Sequence, residues 1–135
     1  MEDWREVEAN WQEGLDFLGL NQKGNSLAMS GSGTGFSPME LLLVGLAGCT
    51  GVDVASILTK KRQALKNLKV KVRGLRRNEV PRIYTQIQIE YILQGDNLDA
   101  HAVEHAIRLS EEKYCSASIM LGYSAKIAST YRIEK

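Results

Sequence analysis

A chain of 135 residues lies within the usual range of one folded domain, so a single unit covering 1–135 is the expectation. Lys and Arg number 17 against 16 Asp and Glu, and so even a balance excludes the basic footprint of a nucleic-acid or anionic-membrane binder. The acidic start MEDWREVEAN is unlike an export signal, and the longest uncharged apolar run, Leu41 to Val52, falls short of the roughly 20 residues that cross a bilayer; a cytoplasmic protein is expected.

In chain order, VEANW places Val7, Ala9 and Trp11 on one face, LDFLGL follows a turn at Gly14, and SLAM follows a turn at Lys23-Gly24. These segments predict a short antiparallel meander. The turn-rich SGSGTGF leads into SPMELLLVGLAGCTGVDVASIL, Ser37 to Leu58. Ser37 at the N-cap, Pro38 at the first position and Glu40 three residues after the cap form a capping box that starts a long helix. Past the basic KKRQALKN, the alternation of Leu68, Val70 and Val72 with Lys69, Lys71 and Arg73 predicts a half-exposed strand. After a turn at NEVP, Ile83, Thr85, Ile87, Ile89, Tyr91 and Leu93 continue as its hairpin partner. Helical spacing returns with Asp99 as N-cap, Val103, Ala106, Ile107 and Ser110 inward, and His101, His105, Arg108 and Glu112 outward. A short helix near Cys115 and a strand over YSAKIASTYRI close the order β-β-β-α-β-β-α-α-β, an α+β domain with an antiparallel sheet packed on a long central helix.

The central helix is apolar around its whole circumference, the pattern of a buried helix. One small sheet covers one side only, so the other side calls for a homodimer in which these helices pack together. Gly45, Gly48 and Gly51 leave a thin stripe suited to close approach of a second backbone, each at about 1 kcal/mol of helix propensity relative to Ala.

Two cysteines, Cys49 and Cys115, are too few for a disulfide scaffold; in a reducing compartment they point to redox chemistry, metal binding or plain packing. Cys49 sits well beyond the first turn of the helix, where the dipole acts. To serve as a thiolate nucleophile it needs a nearby cation or a break in the helix. Cys115 in YCSAS sits where a helix can open onto free N–H groups. A second thiol within reach of the first would resolve an oxidised sulfur as a disulfide.

SPMELLLVGLAGCTGVDVASIL, with Cys49, and HAIRLSEEKYCSASIML, with Cys115, resemble the two cysteine segments of the OsmC/Ohr family of thiol-dependent hydroperoxide reductases. The resemblance follows the order of elements over nearly the whole chain and is strongest with the OsmC-like branch whose buried helix opens with SPMELLL. It implies an intertwined α+β homodimer with two active sites at the interface. Cys49 would attack the peroxide O–O bond and become a sulfenic acid, and Cys115 would resolve it as an intrachain disulfide. Organic hydroperoxides and hydrogen peroxide are the implied substrates, and a dithiol, dihydrolipoyl in some members, the reductant. The family's peroxidases place a glutamate ten residues before the peroxidatic cysteine, where this chain has Met39 with Glu40 one step on. They also present an arginine near the first strands, where only Arg5 and Lys23 supply cations here. Glu40, Arg62 and Arg82, the arginines coming from either subunit, are the candidates for that supporting role. A non-catalytic relative, a redox sensor or small-molecule binder, is the alternative.

Other patterns are weaker. Gly31, Gly33 and Gly35 before a helix suggest a phosphate loop, but neither GxGxxG nor GxxxxGK[ST] is present. His101 and His105 lie on the polar face of their helix and the cysteines lack CxxC spacing, so no zinc site is expected. No other metal and no cofactor is called for.

Overall fold

A computed structural model describes residues 2–135. The chain forms two compact units that divide between Leu42 and Leu43. In the first, β1 (Val7–Glu13), β2 (Asp16–Asn21) and β3 (Ser26–Ser30) make an antiparallel sheet in the order β1-β2-β3, the expected meander. Gly14 turns the first hairpin at φ 56°, in the left-handed region open to glycine, and Trp11 Nε1 donates to its carbonyl at 2.8 Å. Ser30 is the single buried residue among those described in this unit. Every residue of β1 is exposed.

Helix α1 runs Pro38–Lys60. Its capping box forms as expected: the Glu40 N–H donates to Ser37 Oγ at 3.1 Å and the Ser37 N–H donates to Glu40 Oε1 at 2.9 Å. Leu46, Thr50, Val54 and Leu58 make one buried stripe at i, i+4 spacing. The expectation of burial all round is not met within one chain, since Leu42 and Val44 are each 47% exposed and Val52 is 70% exposed. By length and apolar content α1 is sufficient to cross a membrane, but Asp53 in its middle is hydrogen-bonded to the rest of the fold.

In the second unit, β4 (Ala64–Arg76) pairs antiparallel with β5 (Tyr84–Asp96), and β5 pairs parallel with β6 (Lys126–Glu134). The α+β class holds, while this sheet is mixed rather than antiparallel throughout. The reason lies in the connection. A helical crossover from β5 brings the chain back to its starting end, so β6 runs in the same direction. Val70 and Val72 point inward while Lys69 and Lys71 point to solvent, as the alternation predicts. Ile87, Ile89, Tyr91 and Leu93 are buried on β5, and Ile92 is buried on its other face. Ile83, expected inside, is exposed because it precedes the first paired residue, Tyr84. Helix α1 packs on this sheet. A Cβ on Gly51 would meet Val70 Cγ2 at 3.4 Å, and one on Gly74 would meet Leu43 Cδ2 at 3.2 Å.

Helix α2 (Ala100–Leu109) starts at Asp99, whose side chain accepts the His101 N–H, and buries Ala102, Val103, Ala106 and Ile107. The helical pattern runs as far as Glu112 on sequence, but Ser110–Tyr114 form a π turn, α3, and Ser116–Leu121 a further short helix, α4.

Candidate functional site

The π turn sets the position of Cys115. Its N–H donates to the Ser110 carbonyl five residues back at 2.7 Å, which ends the turn and leaves Cys115 extended at φ −80° and ψ 102° as the N-cap of α4. Its sulfur accepts the Ser118 N–H at 3.3 Å. Ser118 Oγ in turn donates to the carbonyls of Glu111 and Cys115, both at 3.1 Å, so the cap is held from each side. Such wide turns recur at functional sites because they re-aim a side chain without breaking the helix path.

The side chain that Cys115 approaches is Cys49. Cys49 Sγ, Cys115 Sγ and a carboxylate oxygen of Asp53 all lie within 4.8 Å of one another. Cys49 and Asp53 share a helix face because they are four residues apart. Cys49 is half-buried and Cys115 fully buried, and both are free thiols. Two sulfurs from helices far apart in sequence therefore meet, which spacing alone does not disclose.

Polar side chains line the back of this cluster. Ser110, fully buried, donates from Oγ to Asp53 Oδ2 at 2.9 Å. Tyr91, also fully buried, donates to Glu111 Oε2, and Ser129 Oγ donates to Glu111 Oε1 at 3.0 Å. Burial pushes the Cys115 thiol up, and the Cys49 sulfur beside it acts in the same direction, against the lowering effect of the Ser118 N–H. Burial and then the Glu111 carboxylate push the Tyr91 phenol above the usual tyrosine range. Cys115 is thus kept as a neutral thiol, and the half-buried Cys49 is the more exposed residue of the two.

A profile of OsmC-like proteins matches residues 31–130, the segment that carries both cysteines. The chain belongs to the OsmC-like family. It is 39% identical over 130 residues to protein YhfA of Escherichia coli (strain K12), covering 95% of this chain and 97% of that protein. A hypothetical protein from Aquifex aeolicus has a crystal structure similar to this one, with a TM-score of 0.86 at 38% identity over 99% of this chain and 100% of its own. The organic hydroperoxide resistance protein OhrB of Bacillus subtilis shares the fold, with a TM-score of 0.65 at 14% identity over 96% of this chain and 98% of its own.

Within this OsmC-like chain Glu40 and Arg82 make local side-chain contacts, and Arg62 shapes the end of α1 through its backbone. Glu40 closes the capping box. Arg62, at φ 59°, ends α1 with its N–H on the Thr59 carbonyl at 3.0 Å. Arg82 lies in the β4–β5 loop, where Nε donates to the Arg77 carbonyl at 3.2 Å. Arg5 pairs with Asp3 at 3.3 Å on the surface. His101 is exposed, His105 is half-buried, and neither joins the cysteines. Cys49, Asp53 and Cys115 offer three metal donors, one short of the four that a structural zinc takes. A groove of about 520 Å³ crosses the β4–β5–β6 face between Lys71, Arg73, Gln88, Glu90 and Thr130, and neither cysteine lines it.

Asp53 is the residue the sequence reading missed. The signal was present: it is the lone charge between Glu40 and Lys60, and it stands one helical turn after Cys49.

Proposed function

We propose that this protein reduces organic hydroperoxides or hydrogen peroxide with a two-cysteine cycle, in defence against oxidative stress. The proximity of the two sulfurs carries the reading. Cys49 is half-buried, Cys115 is fully buried, and the two sulfurs lie within 4.8 Å of each other and of a common carboxylate. Cys49 attacks the terminal oxygen of the peroxide, the O–O bond breaks, the alcohol leaves, and Cys49 becomes a sulfenic acid. Cys115 then displaces hydroxide from that sulfur and an intrachain disulfide results. A dithiol, dihydrolipoyl groups being suited to it, returns both thiols. The name of the Bacillus subtilis relative as an organic hydroperoxide resistance protein supports the substrate class.

The unit at work is a homodimer of a single 1–135 domain in the cytoplasm, without nucleic acid or membrane. The apolar face of α1 that one chain leaves uncovered, Leu42, Val44 and Val52, supports this assembly. Any guanidinium at Cys49 comes from Arg62 or Arg82, within the chain or across the dimer.

The ionisable neighbour of the sulfurs is a carboxylate, and this favours, as the second reading, a thiol pair that senses oxidants and turns over slowly. Treating reduced protein with one equivalent of an organic hydroperoxide separates the two. The expected result is loss of both free thiols in wild type, stable Cys49 oxidation in Cys115→Ser, and no reaction in Cys49→Ser. Wild type that forms the disulfide but is not recycled by dihydrolipoate supports the sensor. Wild type that consumes peroxide no faster than Cys49→Ser ends the peroxidase reading.

A further inference from the structure

Joining Cys49 to Cys115 requires a base that the cysteines do not supply. Cys115 is fully buried, and burial favours its neutral thiol. Yet it must lose its proton to attack, because the thiolate is the nucleophile. The hydroxide that leaves Cys49 must also gain a proton. One group stands beside both sulfurs.

We propose that Asp53 is the proton-transfer residue of disulfide closure, taking the proton from the Cys115 thiol and delivering it to the oxygen that leaves Cys49. The inference rests on the two-cysteine reading above. As the Cys115 sulfur attacks the Cys49 sulfur, the S–S bond forms and the S–O bond breaks with its electron pair on oxygen. Asp53 holds the thiol proton in between and passes it to that oxygen, so water leaves and Asp53 ends as the carboxylate it began. The peroxide has already been spent in making the sulfenic acid, and no further oxidant enters.

The surroundings of Asp53 fit this role. Ser110 Oγ fastens Oδ2 at 2.9 Å, and no other side-chain hydrogen bond to this carboxylate occurs among the described residues, which leaves Oδ1 for the sulfurs. The same Ser110 accepts the Cys115 N–H on its carbonyl at 2.7 Å, so one residue fixes the base and the thiol relative to each other. The 4.8 Å limit on the three atoms closes to hydrogen-bond length by a side-chain rotation or through one water. A purely structural Asp53 would only anchor Ser110. An amide anchors it equally well, and that is what separates the two roles.

Asp53→Asn keeps an oxygen for Ser110 and removes the capacity to carry a proton. In single-turnover reaction with an organic hydroperoxide, the Cys49 sulfenic acid is first allowed to form, and closure is then read separately as the rate at which that acid gives way to disulfide. Disulfide closure should slow by about 100-fold or more, the usual worth of a positioned general base. The sulfenic acid then accumulates and is trapped by a 1,3-diketone. The slow closure should also gain about tenfold per pH unit, as solvent hydroxide replaces the lost base, while wild type is flatter. Asp53→Glu should restore part of the rate. Closure by Asp53→Asn at the wild-type rate and pH profile overturns the proposal.

A second measurement is independent of peroxide. Reduced protein is mixed with dithiobis-nitrobenzoate, which Cys49 opens with release of one coloured thiolate. Cys115 then expels the second, and that step needs the same deprotonation. Slowing of the second release alone in Asp53→Asn is the expected result, and an unchanged second release overturns the proposal. If wild type reacts with this reagent but not with hydroperoxide, the peroxidase reading has failed while the role of Asp53 is still decided by the second release.

Discussion

The two compact units bury their residues in opposite ways. From Leu43 onward, β5 alone contributes Ile87, Ile89, Tyr91 and Leu93 to a core also filled by Leu46, Val54 and Leu58 of α1 and Val103 and Ala106 of α2. Up to Leu42, the β1–β2–β3 sheet holds comparable side chains in the open, with Val7 76%, Trp11 65% and Leu27 48% exposed. The same amphipathic alternation that builds a core in one unit leaves a bare sheet in the other. Amphipathic pattern specifies which face of an element must be covered. It does not specify which chain covers it, and a bare apolar sheet is the kind of surface that a second copy buries.

Truncating one apolar side chain in each unit gives the sharpest contrast. Leu58→Ala, at a fully buried position, is expected to cost about 2–5 kcal/mol in urea unfolding. Val7→Ala is expected to cost no more than about 0.5 kcal/mol if β1 stays exposed in solution. A Val7→Ala cost approaching that of Leu58→Ala at concentrations where the protein is dimeric would show that β1 is buried by the partner.

Glycines sharpen the comparison within the second unit. A Cβ on Gly74 would meet Tyr84 Cδ1 at 2.6 Å, so Gly74→Ala is expected to destabilise by about 1–3 kcal/mol through overpacking. A Cβ on Gly48 meets nothing within 4 Å in one chain. In a monomer Gly48→Ala should stabilise by about 1 kcal/mol through helix propensity. In the proposed dimer, where the α1 helices meet along this stripe, we expect the opposite: weaker association in sedimentation velocity. A more stable protein with unchanged sedimentation removes Gly48 from the interface.

The smallest effect concerns pH. Folding favours the protonated Cys115 thiol, so the folded chain holds the extra proton. That contribution to stability is full below the ordinary thiol value of about 8.5 and is lost as pH rises through the raised value. Tyr91 acts in the same sense at higher pH. Melting temperature should therefore decline on the alkaline side, and Cys115→Ser should flatten the first part of that decline. A decline identical in the variant would assign it to other groups.

Much of this arrangement could be read before folding. The capping box of Ser37 and Glu40, the Asp99 cap and the inward run of β5 each rest on residues near one another in sequence, and each is present. The direction of β6 could not be read, since YSAKIASTYRI pairs equally well either way and the crossover decides. The π turn was also hidden, because SEEKY keeps a helical composition while its hydrogen bonds widen by one residue. The cysteine pair was foreseen through resemblance, but not the carboxylate between them. Asp53 stands one turn after Cys49, but its meeting with Cys115 depends on the crossover that follows β5, which no local pattern encodes.

The π turn makes chain length itself part of the chemistry. An ordinary α-helical turn would spend one residue fewer between Ser110 and Cys115, and each residue of a helix carries about 100° of rotation and 1.5 Å of rise. Losing one residue from Ser110–Tyr114 would leave every side chain of α4 intact yet aim the sulfur at a different neighbour. Elsewhere on the surface of this protein a single-residue deletion shortens a loop. Here it would dismantle a redox couple without touching either cysteine.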